Sequence, residues 1–164
     1  MIKSFITYLK RAIAQRRAVA LINSLTDYDF SNYTLESFTA YAEGLKRREF
    51  LLKSLPDFPV FGAWITSLDK EREYIFLDKG MNNSQREVTI LHEIGHILFN
   101  HPTGAIRHDE KFLDNLYTCL ENSLCRSNGM SFIDMEAESF ALEILRRRDA
   151  KIQKEESPSE RLGF

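Results

Sequence analysis

The sequence predicts an α+β fold: one domain, mostly helical, with a small β-sheet packed on a central helix. Three observations predict it. Val88 to Phe99 reads VTILHEIGHILF, an apolar run of helical length interrupted by His92, Glu93, Gly95 and His96. Phe61 to Ser67 and Glu73 to Leu77 (EYIFL) are rich in β-branched and aromatic residues. Apolar positions on either side of these runs recur at helical spacing. The chain has 164 residues, 43% apolar, enough for one core and too short to expect two.

The first helix is expected over residues 3–24. Ile2, Phe5, Ile6, Leu9 and Ile13 form its apolar stripe. Lys3, Lys10, Arg11, Arg16 and Arg17 lie on it, and residues 1–26 contain no acid. Lys10-Arg11 cuts the apolar stretch short, which argues against a secretory signal. An amphipathic helix with a solvated basic face is the expected reading. Residues 27–32 form a polar turn. Thr34 can cap a second helix running through Leu35, Phe38, Tyr41 and Ala42 to about Leu52. Pro56 to Pro59 breaks the chain. Asp69-Lys70-Glu71 between the two strand-like runs predicts a hairpin.

Ser84, with Glu87 three residues on, reads as a capping box that starts the motif helix near Gln85. Gly95 costs about 0.5–1 kcal/mol inside a helix, so the helix should pack close to something there. His101 to Glu110 reads as loop and Phe112 to Leu124 as a short helix. Ile133 to Arg147 reads as the last helix. From Arg148 the composition becomes charged and bears Ser and Pro, so residues 148–164 are expected to form a disordered tail.

A net charge of −2 argues against a dedicated nucleic-acid binder. No apolar run reaches membrane-spanning length. Cys119 and Cys125 match no zinc spacing and make no disulfide framework; they read as reduced thiols, which points to the cytoplasm.

The chemistry is concentrated at His92-Glu93-x-x-His96. Positions i and i+4 share a helix face, so both imidazoles can seat one metal ion. Glu93, about a quarter turn away, is placed to reach a water on that metal rather than the metal itself. This is the pattern of zinc-dependent hydrolases. A catalytic zinc usually takes a third protein ligand. A third histidine of the extended motif would fall at Pro102, and its glycine at Phe99. His101 therefore misses that register and reads as a helix-end or loop residue. The better candidates are Asp134 and Glu138, also i and i+4 on one face, with Glu136 on nearly the opposite side and Ala137 allowing close helix approach. One of the two can bind the metal, and the other can hold a ligand histidine through its second ring nitrogen. The bland alternative is an acidic surface helix, with Glu143 and Arg147 as an exposed pair.

These segments together resemble the ImmA/IrrE-type metallopeptidases. The resemblance runs from Thr34 to Leu145: TLESFTAYAEGLKRR, the FGAWI and EYIFLD strands, QREVTILHEIGHILFNH, and DMEAESFALEIL. It implies a zincin-like domain over residues 1–147, with 1–33 as a helical extension. It matches Asp134 to the family's third zinc ligand, with Glu136, Ala137, Glu138 and Ala141 following in register. The chain departs from the family in having Asp, one methylene shorter than Glu, at that position, which leaves Glu138 as an alternative ligand. It also carries Arg146-Arg147-Arg148 where relatives have a leucine-leucine-methionine-proline ending. The implied function is a zinc endopeptidase that cleaves a helix-turn-helix transcriptional repressor of a prophage or mobile element, by Glu93-assisted attack of a zinc-bound water. The implied partner is that protein, with no direct contact to nucleic acid and none to membrane. Tyr117, His108 and Arg126 are candidate oxyanion donors, and the strand at Glu73 to Leu77 a candidate edge for an extended peptide. The competing reading is a degenerate, non-hydrolytic module that binds a repressor or serves in a toxin–antitoxin-like pair.

Overall fold

A computed structural model describes residues 2–107, 118 and 131–156. The fold is α+β and mostly helical, with a four-stranded mixed sheet. Helix α1 spans Ile2–Ser24, a 3-10 turn Phe30–Asn32, and helix α2 Leu35–Lys46. Strands β1 (Glu49–Leu55), β2 (Gly62–Ser67) and β3 (Arg72–Asp78) precede helix α3 (Asn83–Leu98). Strand β4 (Gly104–Ile106) and helix α4 (Phe132–Glu156) follow. The helix expected at Phe112 to Leu124, both cysteines, and His108, Tyr117 and Arg126 lie outside the described residues.

The sheet order is β1-β3-β2-β4. β1 runs parallel to β3 from Glu49↔Arg72 to Leu55↔Asp78. β2 and β3 form the expected antiparallel hairpin, and β2 runs parallel to β4 over Ile65–Ser67. β3 is therefore interior rather than an edge, and its two faces feed two clusters. Ile75 and Leu77 join Phe50, Ile90, Leu91, Ile94, Ile97 and Phe140 in the main core. Tyr74 and Phe76 join Ala63, Ile65 and Ile106 on the other face. The period of two along a strand makes this division.

Three expectations are corrected. First, the second helix does not reach Leu52. Thr34 caps it, paired with Ser37, but Arg47 adopts φ 53° and turns the chain out. Glu43 Oε1 accepts from Phe50 N at 2.7 Å, which anchors the start of β1. Glu49 to Leu55 are good helix formers that become a strand because β3 pairs with them. Second, the motif helix is capped by Asn82 with Gln85, not by Ser84 with Glu87. Glu87 instead accepts from Tyr33 Oη at 3.0 Å and Arg148 Nη1 at 2.8 Å, tying α3 to α4. Third, α4 continues to Glu156, past Arg148 where the tail was expected to begin.

The stripe expected to bury α1 also faces the wrong way. Phe5, Ile6, Leu9 and Ile13 are exposed. The buried seam is Ala14, Ala18 and Ile22, whose small residues admit α4 closely. Leu9 and Ala18 are separated by about two and a half turns, which puts them on opposite sides. α1 thus joins the core through its second half. No helix among the described residues is long and apolar enough to cross a membrane.

Candidate metal centre

The second half of α3, from Ile90 to Ile97, is buried nearly all round, with Leu91, Ile94 and Ile97 in the main core and Gly95 against α4. A Cβ at Gly95 would lie 3.2 Å from Ala137 Cα and 3.1 Å from the Phe140 ring. Glycine here lets α4 approach until its first turn faces the histidines. His92 Nε2 and His96 Nε2 are 3.0 Å apart, and His96 Nε2 is 3.6 Å from Asp134 Oδ1. One donor atom from each of the three lies within 4.8 Å of the others. Tetrahedral bonds of about 2.0–2.1 Å put neighbouring donors about 3.3 Å apart. Two imidazole nitrogens and one carboxylate oxygen at this separation fit a divalent cation, although the donor set does not by itself select zinc.

Asp134 is held for this by its own helix start. Ser131 N and Oγ donate to Asp134 Oδ2 at 2.9 and 2.6 Å, and Asp134 N donates back to Ser131 Oγ at 3.2 Å. Oδ1 is left facing the histidines. The Ser-x-x-Asp pattern at the helix start is a legible signal for this arrangement. Glu138 lies elsewhere, lining a depression between α1 and α4 with Arg11, Met135, Leu142 and Arg146.

Electrostatics follow burial. Desolvation, with His92 and His101 adding to it, pushes His96 down to about 3, so its imidazole stays neutral near pH 7. Desolvation also lowers His92. Burial, with the Asp134 charge second, pushes Glu93 up to about 8. The Glu93 carboxyl sits beneath β2. A Cβ on Gly62 would come within 2.9 Å of Glu93 Oε1 and 2.5 Å of Thr89 Cγ2.

The centre opens on a cleft lined by Val60, Gly62, Ala63 and Trp64 on one side and by Pro102, Thr103 and Ile133 on others. β4 covers β2 only from Ile65 onward, so no strand among the described residues pairs with Gly62–Trp64 on that side. Phe61 O accepts from Asp78 N toward β3, and Leu68 N donates to Ile106 O toward β4. Even-numbered residues therefore turn their backbone groups to the open side. Thr103 Oγ1 donates to Trp64 O there.

His101 and Glu136 stand behind His96. Asn100, at φ 55°, closes α3, with Asn100 N donating to Ile97 O and His101 N to His96 O. This C-terminal turn folds His101 back into a buried position. His101 Nδ1 is 2.8 Å from His96 Nδ1, and His101 Nε2 is 3.0 Å from Glu136 Oε2. Asparagine after the last helical residue was the available signal. Glu143, which the alternative of an acidic surface helix would expose with Arg147, is buried and accepts from both Arg146 and Arg147. No protein-family model, curated protein or solved structure matches this chain.

Proposed function

We propose that this chain is a zinc-dependent endopeptidase with His92, His96 and Asp134 as ligands and Glu93 as general base. The observation that carries this reading is the convergence of three donor atoms beside one buried carboxyl group, at the floor of a cleft bordered by a stretch of β2 that no strand among the described residues pairs with. A cation in that triangle supplies Lewis-acid polarisation of a peptide carbonyl and lowers the pKa of water. The other tasks fall to the chain. Glu93 has a raised proton affinity, which suits a group that takes a proton and passes it to the leaving amine. The edge at Gly62 and the Trp64 N–H, beside the Trp64 carbonyl that Thr103 already occupies, suits an extended peptide held as an added strand across the cleft. β3 cannot do this, since both its edges are paired.

The substrate proposed is a helix-turn-helix repressor, and it rests on the resemblance to the ImmA/IrrE type, an argument by analogy. The test is the fate of a candidate repressor encoded beside the gene, incubated with metal-loaded protein with and without chelator. Loss of intact repressor only without chelator supports the peptidase. Equal loss in both samples contradicts it. Stable binding without cleavage by metal-loaded protein favours the non-hydrolytic module.

A further inference from the structure

α1 takes part in the metal centre through a chain of three side chains. Arg17 Nη1 lies 2.6 Å from Glu136 Oε1, a close ion pair between a half-exposed guanidinium and a buried carboxylate. Glu136 Oε2 faces His101 Nε2, and His101 Nδ1 faces His96 Nδ1. Each contact constrains the next. A carboxylate can only accept, so the proton of a neutral His101 sits on Nε2 and is donated to Glu136. His101 Nδ1 is then a lone pair. Two nitrogens 2.8 Å apart need one proton between them, so His96 Nδ1 carries it. The remaining nitrogen of His96, Nε2, is left with its lone pair, which accepts the proton of His92 Nε2 3.0 Å away and lies 3.6 Å from Asp134 Oδ1. Arg17 already balances the charge of Glu136, so no charge on His101 is required for the pairing.

We propose that Arg17, Glu136 and His101 are positioning residues that lock His96 in its Nδ1–H tautomer and aim Nε2 at the cation site. The ring planes support a fixed geometry. His101 stacks on Phe99 with 9° between planes and meets His96 at 70°. The Arg17 guanidinium lies over the Phe99 ring, 5.9 Å from its centroid. The lock exists before any metal arrives, which lowers the reorganisation needed to bind one. As a statement about metal binding this rests on the reading of His92, His96 and Asp134 as ligands; as a statement about a tautomer it does not.

The experiment uses that difference. Ring 15N shifts of His96 are recorded in the metal-free full chain, alongside the zinc dissociation constant from chelator competition. Wild-type protein is expected to show the Nδ1–H form alone. His101→Phe keeps the stack on Phe99 and removes both hydrogen bonds. It is expected to release His96 toward the Nε2–H form and weaken zinc binding by about 10- to 100-fold. Arg17→Met, at a half-exposed site, is expected to weaken zinc binding several-fold with unchanged helical content. His96 in the Nε2–H form in wild type, or unaltered tautomer and affinity in both variants, overturns the proposal. A wild-type chain that shows the Nδ1–H tautomer yet binds no zinc overturns the metal reading and leaves the tautomer lock standing.

Discussion

Ser131 takes one oxygen of Asp134 and leaves the other for the histidines. Oδ2 accepts both the backbone and hydroxyl protons of Ser131, while Oδ1 sits 3.6 Å from His96 Nε2. The short side chain of aspartate therefore reaches the centre from a fixed point at the start of α4. Ser131→Ala is predicted to lower stability by about 1 kcal/mol, the usual cost of losing a helix cap. It should also weaken metal binding by freeing the Asp134 rotamer. Denaturant titration and chelator competition read the two effects. Ser131→Thr should restore both.

Glu93→Gln is predicted to keep the fold and one equivalent of metal while lowering cleavage by about 100-fold or more, the scale of general-base catalysis. The amide matches the carboxyl in size, so the space beneath Gly62 stays filled. Elemental analysis beside a cleavage assay checks this. Full activity in the variant would remove Glu93 from the mechanism.

Metal-free protein is predicted to lose the Glu93 contribution to stability as pH rises from about 4.5 to about 8, with the net loss emerging above about 6.5, where His96 no longer opposes it. Glu93 is held protonated in the folded chain to about pH 8 by burial. In the unfolded chain it ionises from about 4.5. Between those values the unfolded state binds fewer protons, so its share grows with pH, by up to about 1.4 kcal/mol per pH unit. The contribution is fully present below the lower value and gone above the upper one. From about pH 3 to about 6.5, overlapping the lower part of that window, His96 acts the other way. Its folded value, about 3, lies below the ordinary 6.5, so the unfolded chain gains protons first as pH falls through that window. Thermal unfolding of wild type and Glu93→Gln with chelator present isolates the first effect, since the variant lacks it.

Gly62→Ala is predicted to destabilise the chain by about 1–3 kcal/mol, the range for overpacking. The added methyl would meet Thr89 Cγ2 at 2.5 Å and Glu93 Oε1 at 2.9 Å, so either β2 or Glu93 must shift. The expected result is a larger loss of cleavage than of metal affinity. Unchanged stability and activity would show that β2 does not press on Glu93 as described.

Some of this molecule can be read along the chain and some only across it. The hairpin of β2 and β3 follows from two β-rich runs around Asp69-Lys70-Glu71, a local signal. The convergence of α3 and α4 is prefigured by Gly95 and Ala137, small residues that only close packing explains. β1 was hidden because Arg47 ends α2 with no glycine to mark the turn, and its pairing partner begins at Arg72. The stripe at Phe5, Leu9 and Ile13 suggested the buried side of α1, yet the tight seam is made by alanines, which carry little hydrophobic signal. His101 misses the metal-ligand register of the extended motif. Its place is fixed instead by the left-handed turn at Asn100, and Glu136 becomes its partner across a distance in sequence that no local pattern reports.

The most direct measurement is anomalous diffraction at the zinc edge from crystals of the full chain grown with zinc. The account predicts one strong peak between His92 Nε2, His96 Nε2 and Asp134 Oδ1, about 2.0–2.1 Å from each, and none in crystals of His92→Ala. Well-soaked wild-type crystals with no peak at that point, or with the ion held by Glu138 instead of Asp134, would contradict it.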